Sequence, residues 1–217
     1  MRKKPIKGLL AIIYYSTIGK LMLTLIACLV FAGIALITGW YMAFSVFRIL
    51  ALTIPPVIVI MHLLHKSAEK WERLQVTMPV KRKGMLAAQF IYVFITAVVG
   101  IPLALAVAGL GLHLHENMIY HGFLIEMIQF AMAFGVPLVT AGIMYPLART
   151  AIGMKWGEVV FVATAFAAVG LFQLIGMAAY RLGAADGVKL AVFLGVSLVV
   201  FVCSYFITAR VYAGVDF

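Results

Sequence analysis

The sequence predicts an all-α, polytopic membrane protein with six transmembrane helices, and three observations carry that expectation. Hydrophobic residues make up 65% of the 217 and charged residues only 11%, whereas a soluble domain carries about 25% charged residues. Apolar runs long enough to cross a bilayer recur along the whole chain, since a helix rises about 1.5 Å per residue and the hydrocarbon core is about 30 Å thick. Lys and Arg gather in alternate connecting segments. No stretch is left over for a separate soluble domain, so 1–217 is expected to be a single transmembrane domain.

The spans are expected at about 20–38, 42–64, 85–111, 122–148, 157–179 and 187–209. The first two are joined by a few residues around Gly39, Trp40 and Tyr41 and should form a tight helical hairpin. Ahead of them, residues 5–18 read as a short interfacial helix, with Ile6, Leu9, Leu10, Ile13 and Thr17 aligned on one side; the alternative is that they extend span one. The N-terminus is basic and then apolar, like a signal peptide. It lacks a small-residue cleavage site, so it is expected to stay with the mature chain.

Topology follows from the cations. Arg2, Lys3, Lys4, Lys7 and Lys20, then Lys66, Lys70, Arg73, Lys81, Arg82 and Lys83, then Arg149, Lys155 and Arg210 fall on one side, against Arg181 and Lys189 on the other. The positive-inside rule places both termini and the 65–85 loop in the cytoplasm of a cell (plasma or inner) membrane protein. The net charge of +10 is thereby explained by orientation and anionic lipid, and no nucleic-acid partner is expected. Cys28 and Cys203 lie inside apolar runs and read as reduced core residues without a disulfide.

Pro55-Pro56, Pro102 and Pro137 sit inside spans. Each removes a backbone donor, and such breaks are tolerated where protein or a water-filled cavity satisfies the freed carbonyls. The Pro-Pro pair predicts a bend in span two, either shaping a pathway or serving packing alone. Arg48 in span two and Glu126 near the outer end of span four are ionisable residues inside the membrane, and such residues are functional candidates by default. Their depths match, which predicts an intramembrane polar pair, within one subunit or across a dimer, that fixes packing or forms part of an outer gate. Gln129 and Gln173 lie at comparable depths and are candidates for the same network.

Signals for chemistry are weak. In HLHENMIYHG, His113, His115, Glu116 and His121 are close in sequence, but the spacing does not put two imidazoles on one helical face as His-Glu-x-x-His does. A polar external turn fits better, and no metal is expected. Asp186 and Asp216 lie in a loop and the tail, which gives no intramembrane aspartyl pair. The Glu69/Arg73 and His113/Asn117 elements of a membrane glutamate protease would fall on opposite sides of the bilayer. No phosphate-binding loop is present: the only Gly-Lys, Gly19-Lys20, lacks the preceding glycine and the following Ser or Thr. The chain is therefore not expected to be an enzyme by itself.

The polar loop is the most informative stretch. Residues 65–85, HKSAEKWERLQVTMPVKRKGM, hold eight of the twenty-four charged residues. Taken as a helix, 67–78 is capped by Ser67 and places Ala68, Trp71, Leu74 or Gln75, and Met78 along one face. Glu69 and Arg73 are spaced for an i,i+4 pair, and Pro79 ends the helix. Lys81-Arg82-Lys83 then falls at the headgroups. An exposed Trp on such a helix suits docking to a partner, or anchoring to lipid.

EKWERLQVTMPVKRKGMLAAQF, an acidic helix followed by Leu, Met-Pro and a basic cluster leading into a span, resembles the membrane subunits of type-2 ABC exporters. The second cytoplasmic loop, MYPLARTAIGMKWGE, agrees, with its proline, basic residue, glycine and further charge. The resemblance covers nearly the whole chain and is strongest to the small permeases that export phenol-soluble modulins or confer resistance to peptide antibiotics. It implies a homodimer with two copies of a separate ABC ATPase, which would bind ATP and Mg²⁺; this chain itself would bind no cofactor. It makes 67–78 the coupling helix, with Glu69, Trp71, Glu72, Arg73, Leu74 and Met78 in contact with the ATPase, and 149–157 a second contact through Gly153 and Lys155. It also implies outward transport of an amphipathic peptide or other hydrophobic cargo, for which the twelve Met and fifteen Phe could line an adaptable pathway. Two other readings fit the residues: a non-transporting scaffold or sensor that recruits a cytosolic partner, and an ion-coupled secondary transporter.

Overall fold

A computed structural model describes residues 5–64, 82–115, 123–147 and 151–213. They form α1 (Pro5–Thr38), α2 (Tyr41–Leu52), α3 (Ile54–Leu64), α4 (Arg82–Leu114), α5 (Phe123–Leu147), α6 (Ala151–Arg181) and α7 (Asp186–Ala213). Among the described residues, six stretches are long and apolar enough to cross a membrane: Lys7–Thr38, Tyr41–Leu63, Lys83–Gly111, Leu124–Leu147, Gly157–Arg181 and Asp186–Val211. The fold is thus the all-α, six-span bundle that the apolar runs predict. Span two is built from α2 and α3. Much of the outer surface is large apolar side chains, including Leu23, Val99, Phe166, Leu174 and Val199, as hydrocarbon surroundings favour.

Residues 5–18 are not set off from span one. They form the first turns of the 34-residue α1, which at about 1.5 Å per residue is roughly 51 Å long. The stripe seen in the sequence is a real helical face, but it packs on protein. Leu9, Ile13 and Thr17 are buried, Leu9 clusters with Met85 and Ala88 of α4, and the Thr17 hydroxyl lies 3.2 Å from the Tyr92 hydroxyl. Farther along, His115 follows the end of α4 and meets Leu36 of α1, so α1 and α4 run parallel and in register over nearly their full lengths.

The turn between α1 and α2 is short because Gly39 adopts φ +64°, a left-handed conformation that costs an L-residue with a Cβ about 1–2 kcal/mol. The His115 ring covers that glycine, and its Nε2–H donates to the Leu36 carbonyl at 2.8 Å, an acceptor left over at the end of α1. A Cβ on Gly39 would sit 3.0 Å from the imidazole. Gly39→Ala is therefore expected to lower the thermal midpoint in detergent by the equivalent of about 2 kcal/mol or more. Gly33→Ala, where a Cβ meets nothing within 4 Å, should leave it unchanged or raise it.

Lipid tails are as apolar as leucine, so helices in a membrane associate through close packing rather than water exclusion. The α5–α7 pair shows this. Gly135 faces the Ser197 hydroxyl and the Phe172 ring of α6, and Gly142 faces Val200 and Ser204. A second packed layer joins Phe90 of α4 to Tyr145 of α5 and to Phe201 and Tyr205 of α7, with ring centroids 4.6, 5.1 and 5.5 Å apart. Cys28 is buried as expected, whereas Cys203 points outward. It lies one residue before the buried Ser204, and a helix turns about 100° per residue, which carries Cys203 off the packed face.

Candidate functional site

The site is a polar seam between span two and α5. On α2 the buried residues are Ala43, Phe44, Phe47, Arg48, Ala51 and Leu52, a spacing of one, three, one, three and one that marks a single helical face. Arg48 therefore points inward, on the same face as the fully buried Phe44 and Phe47. It lies seven residues past Tyr41, about 10 Å along the helix, and its side chain is only 10% exposed.

Glu126 provides its partner. The carboxylate is fully buried in the first turn of α5, where the partial positive charge of the helix N-terminus favours an anion. Arg48 Nη1 donates to Glu126 Oε2 at 2.8 Å. The guanidinium carbon lies 5.8 Å from the centroid of the Phe130 ring, one turn farther along α5, an arrangement that adds cation–π attraction. Glu126 Oε1 has no hydrogen-bond partner among the described residues. Phe44 meets Phe130 edge to face at 6.2 Å, and Cys28, Ala32 and Ala35 of α1 with Ala104, Val107 and Ala108 of α4 complete the apolar enclosure.

Two further bonds extend the seam. Toward the start of α2, the Tyr41 hydroxyl donates to Gln129 Oε1 at 3.3 Å. At the junction of α2 and α3, the Thr53 hydroxyl donates to the Ala133 carbonyl at 2.8 Å. That carbonyl is special: the residue four positions later is Pro137, inside α5, which has no N–H to give it. A side chain of span two thus satisfies a backbone acceptor that a proline frees in span four. Pro55 and Pro56 likewise deprive Ala51 and Leu52 of their helical donors. The Ala51 carbonyl backs onto Gly100 of α4 so closely that a Cβ there would overlap its oxygen.

Of the residues expected here, Arg48, Glu126 and Gln129 come together along α2 and α5, whereas Gln173 does not join them. It is exposed on α6, directly after the fully buried Phe172, and so faces away from the bundle. Tyr41, Thr53 and Ala133 were not singled out from the sequence. The signal for Ala133 was Pro137, and for Thr53 the Pro-Pro pair two residues on. The segment 67–78, with Glu69, Trp71, Glu72, Arg73, Leu74 and Met78, lies outside the described residues, as do Arg149, Glu116 and His121. Gly153 and Lys155 fall in the first turns of α6, which starts at Ala151, so most of 149–157 is helix. No three of His, Cys, Asp and Glu gather into a metal-binding group among the described residues; His113 is exposed and His115 is committed to Leu36.

A buried ion pair on a proline-broken span, in a six-span all-α bundle, defines a polytopic membrane protein whose interior polar groups tie its helices together. More specifically, the family described as ABC-2 family transporter protein matches residues 12–213, and the chain belongs to that family. It is thus a membrane component of an ABC transporter, a permease. No curated protein and no solved structure matches it.

Proposed function

We propose that the chain is the permease subunit of an ATP-driven exporter that moves amphipathic peptides, or similarly hydrophobic cargo, out of the cell. Two copies pair in the membrane, with the basic face and both termini cytoplasmic, and each engages one copy of a separate ABC ATPase that holds ATP and Mg²⁺. Family membership supports the permease role. The observation that carries the coupling is the position of the polar loop: α3 ends at Leu64 and α4 begins at Arg82, so a partner that grips 67–78 acts directly on two spans. Trp71, with Glu69, Glu72, Arg73, Leu74 and Met78, is the proposed grip, and Gly153 and Lys155 at the start of α6 form the smaller second contact. The abundant Met and Phe suit a pathway that adapts to varied amphipathic cargo.

The test is co-purification of the tagged chain from its own membranes in mild detergent. An ATP-binding subunit is expected to co-elute in equal amount. Trp71→Ala should weaken its retention by about tenfold or more, as loss of a hot-spot aromatic does. A wild-type chain that elutes with no ATPase would remove the coupling role of 67–78.

A further inference from the structure

We infer that the interface between α5 and α7 binds a buried water molecule near the end of the bundle where both helices finish. Its ligands are the Ser204 and Thr208 hydroxyls of α7 and the Gly142 carbonyl of α5. The site is separate from the Arg48–Glu126 seam and does not depend on the exporter reading.

A hydroxyl inside a helix commonly bonds back to its own backbone. Ser197 of α7 does so, donating to the Phe193 carbonyl at 2.6 Å, and Thr140 of α5 donates to the Val136 carbonyl at 2.8 Å. Ser204 and Thr208 depart from this pattern. Both are buried, and neither Ser204 Oγ nor Thr208 Oγ1 has a hydrogen-bond partner among the described residues. Four residues apart, they stand one above the other on a single face of α7. A buried polar group without a partner is costly, and two of them on one face suit a shared ligand.

The acceptor comes from α5. Gly135 faces Ser197 and Gly142 faces Ser204, seven residues apart on each helix, so α5 and α7 run parallel and in step. Pro146, four residues past Gly142, therefore falls level with Thr208, four past Ser204. Pro146 lies inside α5 and has no N–H to give the Gly142 carbonyl. Helix carbonyls point toward the C-terminus, so this one points from the level of Ser204 toward the level of Thr208. The Ala133 carbonyl, freed by Pro137, takes the Thr53 hydroxyl directly. Neither hydroxyl of α7 makes such a bond to Gly142, and a water bridges what they do not. It donates one hydrogen to the Gly142 carbonyl and the other to one hydroxyl oxygen, and it accepts the proton of the second hydroxyl. Three bonds are usual for a buried water. Pro146 and Leu147 are half-buried and stand at the end of α5, so water reaches the site from that end without crossing the hydrocarbon. The α5–α7 contact is thus dry at Gly135 and wet at Gly142.

The experiment is radiolytic hydroxyl labelling of the full chain in lipid vesicles, in water carrying heavy oxygen, read residue by residue by mass spectrometry. Radiation converts a bound water into a hydroxyl radical that attacks the nearest ring, so a buried ring is labelled where water is held beside it. Tyr145 is the reporter: it is buried and lies three residues past Gly142, a neighbouring position on the helix. Tyr92 is the control, equally buried and with its hydroxyl beside that of Thr17. Tyr145 is expected to label about fivefold faster than Tyr92 or more, as a ring beside a buried water should. Ser204→Ala with Thr208→Val removes both hydroxyls and should bring Tyr145 to within about twofold of Tyr92. Thr208→Val alone, which keeps the side-chain shape, should lower the Tyr145 rate while leaving Tyr92 unchanged. Equal rates for the two tyrosines in the wild type, a comparison that needs no substitution, would overturn the site. So would a Tyr145 rate indifferent to loss of both hydroxyls.

Discussion

Replacing Glu126 with alanine is expected to destabilise the fold by about 3–5 kcal/mol, the cost of leaving a buried charge without its partner. Arg48 is 8% exposed and Glu126 is fully buried, so neither side is screened by water. The guanidinium stays charged in any surroundings, whereas a carboxyl can neutralise itself by taking up a proton. Glu126→Ala should therefore be costlier than Arg48→Met. The double variant Arg48→Met with Glu126→Leu, which replaces the pair by apolar groups of similar size, should recover much of the loss, because a buried ion pair is often no more stabilising than well-packed hydrophobic residues. Thermal unfolding of the wild type, Arg48→Met, Glu126→Leu and the double variant in one detergent gives the cycle. Strict additivity of the two single losses would show that the 2.8 Å contact carries no coupling.

The second large effect is expected at Gly100. Its Cβ-to-be overlaps a main-chain oxygen, that of Ala51, and would also press on a Leu52 methyl at 3.4 Å. A side chain can rotate out of the way; a carbonyl in a helix can move only with its helix. Overpacking of a tight interior costs about 1–3 kcal/mol, and Gly100→Ala belongs at or above the upper end, with α4 pushed away from α2 and the yield of monodisperse protein falling accordingly. Gly109→Ala on the same helix meets nothing within 4 Å and should gain about 1 kcal/mol or remain neutral, since alanine is the better helix former. Comparable losses at both glycines, read as thermal midpoints, would assign the effect to the helix itself and not to the Ala51 contact.

The number and placement of the spans could be read from the chain because hydrocarbon imposes length and apolarity on each segment separately. Which segments meet is a different kind of information. Arg48 and Glu126 are visible in the sequence as ionisable residues at matching depth; that α2 lies alongside α5 comes only from the packing of the whole bundle. Gln173 shows the limit of depth as a guide, since it shares a level with Gln129 but lies on the outer side of α6. The stripe of Leu9, Ile13 and Thr17 is likewise plain in the sequence as a face. Lipid and a neighbouring helix reward the same periodicity, and only the contact with Met85, Ala88 and Tyr92 tells which of the two it meets. Thr53 was the least visible, because a hydroxyl in a span commonly bonds its own helix, as Thr17, Thr24 and Thr96 do here.

The Arg48–Glu126 pair also has a consequence for biogenesis. Its members are 78 residues apart in the chain, and synthesis proceeds at about 5–20 residues per second. Span two thus emerges carrying a permanent cation about 4–16 s before its counter-ion has been made, and Ala133, the acceptor for Thr53, is made later still. For that interval the arginine lacks the carboxylate it pairs with in the folded protein, and its full insertion is costly. Insertion of span two is thereby costlier before the first turn of span four has been made than after it.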